Sequence, residues 1–445
     1  MERYTELSQK YPHFVYQQYS YHIVDQKLEG GFTYVINDDA GTSAFEFFSA
    51  FSIDYVGSAV EPDTDLDALV FTLGMAEALS YWKLTCAPTI TAACGQLDTW
   101  QIDWWKHLIT DGLSEFFYLN DIHDWDANRL QILSTGSACR PPKSRTYSTE
   151  QTLVPIGGGK DSITSLAILE GHRDIIPIVM NPIAASMSMI EHSGYATYIL
   201  IRRTLDKQIV QLNKQGFLNG HIPFSAVLSL YTMIAARSYG ISDIALSNES
   251  SANEPTILGT NINHQYSKSL RYERDINRYA DKYLDADIRY FSLLRPLNEY
   301  QITKIFSQSS EAVLTLFRSC NKGSKQGVWC KKCPKCLFTY IMMSAHLSTE
   351  KMLSIFGSDL LEDPDLTGYF LSLTGQRTEK PFECVGTIEE VNAAVEVISK
   401  KRKKTPLLLQ GWDTALVTKT AAQLYASWEA HDLPDIYVPL VKQKL

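Results

Sequence analysis

A short apolar run, Leu153-Val-Pro-Ile156, passes without interruption into Gly157-Gly158-Gly159-Lys160-Asp161-Ser162 and then into an apolar-periodic stretch over residues 163–169. Strand, glycine turn and helix in that order leave the chain few alternatives. The glycines let the backbone approach a ligand closely and present its amide hydrogens, while the helix start adds partial positive charge. The segment reads as a phosphate cradle. It is not a Walker loop, because Gly-x4-Gly-Lys-Ser/Thr is absent, nor is it the GxGxxG dinucleotide fingerprint.

The segments after the loop set the fold class. Residues 152–156, 175–180, 197–203, 243–248 and 288–293 read as strands, with helical periodicity after Lys160, near Met187, after Asp206, and over 225–239 and 264–284. Such βαβα order predicts an α/β domain: a parallel sheet with helices on both faces and its ligand at the carboxyl ends of the strands. The second strand ends at Met180 and Asn181 and the third at Arg202 and Arg203, where either arginine could meet a phosphate.

At 445 residues the chain is too long for one ordinary domain. Residues 1–136 are rich in Tyr, Phe and Trp, with strand-like runs at 31–37 and 45–56, and read as an N-terminal α+β substrate-recognition domain. Residues 137–150 are small, polar and Pro-containing, and read as a linker. The phosphate-loop domain then takes 151–343, and a mainly helical region takes 344–445. Net charge divides along the same line: residues 1–150 carry −12 and the remainder +3. An anionic ligand therefore belongs to the later part, and the acidic part is a poor nucleic-acid surface. No apolar run reaches the ~18 residues of a membrane helix, and the opening residues contain no apolar export segment, so a cytoplasmic protein is expected.

Of eight cysteines, Cys320, Cys330, Cys333 and Cys336 fall in the pattern Cys-x9-Cys-x2-Cys-x2-Cys. Four thiolates so spaced suit a closed tetrahedral site, and the expected occupant is a structural zinc ion. Such a cluster staples the fold and leaves no open position for a catalytic water.

The loop resembles the PP-loop of the N-type ATP pyrophosphatases, SGGxDS, with Gly157 where that motif has Ser. This resemblance implies an adenine nucleotide alpha hydrolase-like fold and cleavage of ATP between its α and β phosphates. It also implies that Gly158, Gly159, Asp161 and Ser162 hold pyrophosphate, with Asp161 near magnesium, and that Gly157, Lys160, Met180, Asn181 and Arg203 complete the ATP site.

Further segments are similar to one family, the ATP-dependent UDP-N-acetylmuramoyl-L-alanyl-L-glutamate epimerases of bacterial peptidoglycan synthesis. They are Leu73-Gly-Met-Ala-Glu-Ala-Leu-Ser-Tyr-Trp-Lys83, Gly112-Leu-Ser-Glu-Phe-Phe-Tyr-Leu-Asn120, Gly220-His-Ile-Pro-Phe224, Ser247-Asn-Glu-Ser-Ser-Ala-Asn-Glu254, Asn263-His-Gln-Tyr-Ser-Lys-Ser269 and Lys380-Pro-Phe-Glu-Cys-Val-Gly386. The resemblance implies a UDP-linked muramoyl dipeptide substrate, adenylation of its terminal glutamate, and release of AMP and pyrophosphate. Proton transfer at the glutamate α-carbon needs acid and base groups, for which His221, His264, Cys384 and Lys160 are the candidates. Arg202, Glu249, Glu254 and Lys268 are the candidate substrate contacts. Two other readings stay open: a PP-loop enzyme that adenylates a tRNA base or deazapurine carboxylate, and a nucleotide-sensing scaffold without turnover. Oligomeric state is not legible in the sequence.

Overall fold

Alternating apolar runs become strands where both faces can be buried, and here they join into one sheet. The computed structural model describes residues 2–58, 63, 65–123, 125–140, 142–257 and 259–445; Pro141, in the expected linker, lies outside them. The strands are β1 (His13–Val24), β2 (Lys27–Asn37), β3 (Ser43–Val56), β4 (Thr89–Ala92), β5 (Gln131–Ser134), β6 (Ser148–Pro155), β7 (Asp174–Met180), β8 (Tyr198–Thr204), β9 (Ile241–Leu246) and β10 (Arg289–Ser292). Their order is β10-β9-β6-β7-β8-β3-β2-β1-β4-β5. The five strands from β10 to β8 are parallel, with β6 at their centre.

Helices cover both faces of that parallel half, and strand residues alternate between two cores. Leu153, Ile176, Ile178, Ile199, Ile201 and Ile244 face a core shared with the N-terminal region and helix Phe224–Tyr239. Val154, Ile175, Val179, Leu200 and Ala245 face a second core, filled by helices Lys160–Leu169, Glu299–Ser307, Pro334–Ser344 and Ile388–Lys401. Period-two alternation with apolar residues on both sides is the signature of a strand buried on both faces. The region after residue 344 is mainly helical, as its pattern predicts.

The N-terminal region, read from sequence as a domain of its own, shares this sheet. Strand β3 pairs antiparallel with β8 from Ala50↔Thr204 to Val56↔Tyr198. An unpaired edge strand exposes a row of amides and carbonyls, and β3 satisfies them. An ion pair reinforces the junction. The Arg203 guanidinium, on β8, contacts both oxygens of Glu77 on helix Asp67–Trp82 at 2.6–2.9 Å, and Tyr231 Oη donates to the same carboxylate at 2.9 Å. Glu77 is fully buried. Arg203→Ala would leave that carboxylate in the core without its cation, a loss of roughly 3–5 kcal/mol. Urea denaturation is expected to report a destabilisation of that size; a loss below ~1 kcal/mol would show that the junction does not depend on this pair.

Candidate active site

A cavity of about 380 Å³ opens at the carboxyl ends of β6, β7 and β9. Its floor is the glycine loop. Gly158 adopts φ +80°, and a Cβ there would stand 2.6 Å from the Ala185 carbonyl carbon, so only glycine fits. The Gly158 carbonyl accepts from the Arg318 amide at 2.9 Å, and the Lys160 amide donates to Ser319 Oγ at 3.2 Å. Helix Lys160–Leu169 begins on Gly159 with no side-chain cap from that residue, and with the Lys160 amide given to Ser319 the next amides of the first turn, of Asp161 and Ser162, face an incoming anion. Gly157, Gly159, Asp161, Ser162 and Met180 line the cavity, as do Phe224, Lys268, Arg318, Lys335 and Cys384.

Lys160 takes no part in the wall. Its ammonium is fully buried against Asp161 and Glu299, the first residue of helix Glu299–Ser307. Burial raises the Glu299 carboxyl to about 8 despite Lys160, because Asp161 and Glu249 add negative charge beside it. Burial also opposes ionisation of Asp161, but Lys160, Lys335 and Lys268 outweigh it and hold that carboxyl below its ordinary range. Lys160 is thus the counter-ion that keeps Asp161 anionic at the mouth of the loop. Glu299 Oε1 is buried and has no hydrogen-bond partner among the described residues. The Asp161 carboxylate is a hard oxygen donor, the kind of ligand magnesium takes.

Across the cavity, residues widely separated in sequence converge on Cys384. Lys268 Nζ lies 3.2 Å from Cys384 Sγ, Lys335 Nζ donates to the Cys384 carbonyl, and His264 stands beside the thiol. Burial would raise this thiol, but Lys268, His264 and Lys335 bring it down to about 6. Burial likewise disfavours a charged His264, yet its contacts with Cys384 and Glu115 lift it to about 9. At neutral pH the pair is thiolate and imidazolium. The His221 ring is 4.5 Å from that of His264, and burial together with the neighbouring positive charge lowers it to about 4, so it is neutral.

Other predicted residues fall elsewhere. The guanidinium of Arg203 is taken up by Glu77 and is absent from the cavity wall; Arg202, exposed on the same strand, is absent too. The basic charge that does face the cavity comes from Arg318, Lys268 and Lys335. Asn181, at φ 47°, uses its Oδ1 to accept from the Arg203 amide at 2.8 Å. Glu254 pairs with Lys380, and Glu249 is buried beside the cavity. Sequence reasoning missed Glu115, Glu299 and Arg318, which the fold brings to the cavity and its surroundings.

The four clustered cysteines could hold a metal ion: their sulfurs all lie within 4.8 Å of one another. Cys320 Sγ accepts from the amides of Gly323 and Cys330 at 3.1 and 3.4 Å, and Cys333 Sγ from that of Cys336 at 3.4 Å. Amide donors to sulfur favour thiolates, which fits a tetrahedral thiolate site.

Comparison with known proteins yields consistent matches. Residues 5–293 match the family described as the MurL N-terminal domain, and residues 316–431 the MurL C-terminal domain. The chain is 31% identical over 396 residues to a UDP-N-acetyl-alpha-D-muramoyl-L-alanyl-L-glutamate epimerase of Micromonospora sp., covering 84% of each chain. It is 29% identical over 437 residues to the Salinispora tropica protein of that name, covering 96% of this chain and 92% of the relative. The namesake from Xanthomonas oryzae pv. oryzae is 32% identical over 340 residues, 74% of each. No solved structure matches significantly.

Proposed function

The chain belongs to the family of UDP-N-acetyl-alpha-D-muramoyl-L-alanyl-L-glutamate epimerases, and on that premise we propose that it inverts the terminal L-glutamate of the UDP-muramoyl dipeptide through an acyl-adenylate formed at the glycine loop. The observation that carries this reading is the meeting, in one cavity, of that loop with Cys384, whose thiol Lys268 Nζ contacts at 3.2 Å.

A free carboxylate resists loss of its α-proton, because the product would carry two adjacent negative charges. Adenylation removes that charge. The glutamate α-carboxylate attacks the ATP α-phosphorus, and pyrophosphate leaves against the loop amides, Ser162 and the basic side chains Arg318 and Lys335. The α-proton then passes to the Cys384 thiolate, which Lys268 and His264 hold in its charged form. Reprotonation on the other face inverts the centre. Water releases AMP, and the product is the D-glutamate form, a peptidoglycan precursor made in the cytoplasm.

Asp161 would hold magnesium, which when bound neutralises phosphate charge. The four cysteines would hold zinc as a staple and carry Lys335 into the cavity. The test is incubation with magnesium, ATP and UDP-MurNAc-L-Ala-L-Glu in deuterated water. AMP and deuterium at the glutamate α-carbon are expected together. AMP without deuterium would sink epimerisation and keep adenylation; no AMP would sink both.

A further inference from the structure

One polar contact ties the N-terminal region directly to the proton chemistry of the cavity. Glu115, on helix Ser114–Leu119, is buried, and its Oε2 meets Nδ1 of His264 across 149 residues of sequence. His264 in turn stands beside the Cys384 thiol, which Lys268 Nζ contacts at 3.2 Å. We propose that Glu115 is a positioning residue for the epimerisation: it fixes the ring orientation of His264 and balances its charge, and through His264 it holds Cys384 ready to exchange the substrate α-proton.

The geometry is that of a base-orienting carboxylate behind a histidine that serves a third group. A carboxylate on Nδ1 commits that nitrogen to carrying a proton and turns the other ring nitrogen toward its partner. Few titratable groups surround the relay. Cys384 faces Lys268, Lys335 and His264, with Glu383 its chain neighbour. His264 faces Glu115, Cys384 and His221, and His221 adds Lys83. Glu115 is thus the anionic side chain in direct contact with the imidazole. The surroundings of the relay also make it specific. Tyr118, from the same short helix, donates to Glu379 at 2.7 Å and its ring lies 5.9 Å from that of Phe382, while Gln265 Nε2 donates to the Val385 carbonyl at 3.4 Å. The segment that carries Cys384 is therefore pinned by the same two elements that supply Glu115 and His264.

The proposal rests on the epimerase reading, but its first readout needs no substrate. Full-length protein is titrated with iodoacetamide as a function of pH, and alkylation of Cys384 is followed by peptide mass spectrometry. In Glu115→Gln the midpoint of Cys384 alkylation is expected to move upward by about one pH unit or more, the size of effect that loss of a nearby opposite charge produces. Deuterium incorporation at the glutamate α-carbon should fall about 100-fold while AMP formation stays within about threefold. Glu115→Asp, which keeps the charge, should recover part of both losses; if Glu115→Gln does not fold, Glu115→Asp and His264→Gln carry the same comparison. An unmoved alkylation midpoint would overturn the proposal, whatever happens to activity. So would a second zinc ion per chain that disappears in Glu115→Gln, because Glu115, His221 and His264 lie close enough to ligate one. Absence of AMP in the unsubstituted enzyme would instead defeat the epimerase reading and leave the thiol titration standing.

Discussion

Cys384→Ala is expected to lose α-proton exchange by about 10²–10⁴-fold, the contribution of a positioned acid–base group, or about 3–5 kcal/mol of barrier. AMP formation should persist, because on the proposed reading the glycine loop, Asp161 and Ser162 would hold the nucleotide end without this thiol. The separation of the two activities is the informative part. A substitution that merely loosened the cavity would lower both together. The pH dependence has a definite sign as well. The Cys384 thiol is depressed to about 6, so the thiolate is present above that pH and lost below it. His264 is raised to about 9, so the imidazolium is present below that pH and lost above it. Exchange should rise with pH through about 6 and decline beyond about 9. Deuterium incorporation by Cys384→Ala within tenfold of the unsubstituted enzyme would remove this residue from the proton path.

Cys333→Ser is expected to empty the cysteine cluster and destabilise the second core. Metal binding to four thiolates is itself folding free energy, on the order of 10 kcal/mol in small zinc modules. Here Cys333 and Cys336 are fully buried in the same core as Leu337, Phe338 and Ile341, so an unliganded cluster leaves polar sulfur chemistry inside an apolar layer. The melting temperature should fall by at least about 5–10 °C if even a few kcal/mol are lost. Zinc content measured by atomic emission should drop from one per chain to none. Loss of nucleotide turnover should accompany it, since Lys335 lies in the first turn of helix Pro334–Ser344 and Cys320 belongs to the cavity wall. Full zinc occupancy in Cys333→Ser, or an unchanged melting temperature, would refute the staple.

What could be read in the sequence was what is local in it. The glycine loop is legible because strand, turn and helix succeed one another within a single short segment, and the cysteine cluster because its spacing is short. The parallel strands are legible through the alternation of strand and helix patterns. Arg203 illustrates the limit: at the end of a strand it looks like a phosphate contact, and its actual partner, Glu77, is 126 residues earlier. Glu115 lay inside a segment whose resemblance was evident, yet one acidic residue between Ser114 and Phe116 carries no mark of the histidine it meets. Lys160 shows a subtler failure. Its place in the loop suggests a ligand contact, but only the packing of Glu299 beneath it reveals that its charge is spent internally.

The shared sheet has a mechanical consequence. Seven paired positions join β3 to β8, so residues 1–136 and the glycine-loop half cannot swing about the 137–150 segment without breaking a buried hydrogen-bond ladder. Closure of the two halves like a jaw is therefore ruled out as the rhythm of turnover. Access must be governed by pieces that can move one at a time. The stretch of 376–387 bearing Cys384 is such a piece: it holds no helix or strand, and is tethered by one bridge from Glu379 to Ile257, a backbone bond from Lys380 to Thr256 and side-chain contacts from Tyr118, Glu254, Gln265 and Lys335. The residue that exchanges the proton would then also be the one that must withdraw to let a bulky product out, which ties the rate of release to the strength of those tethers.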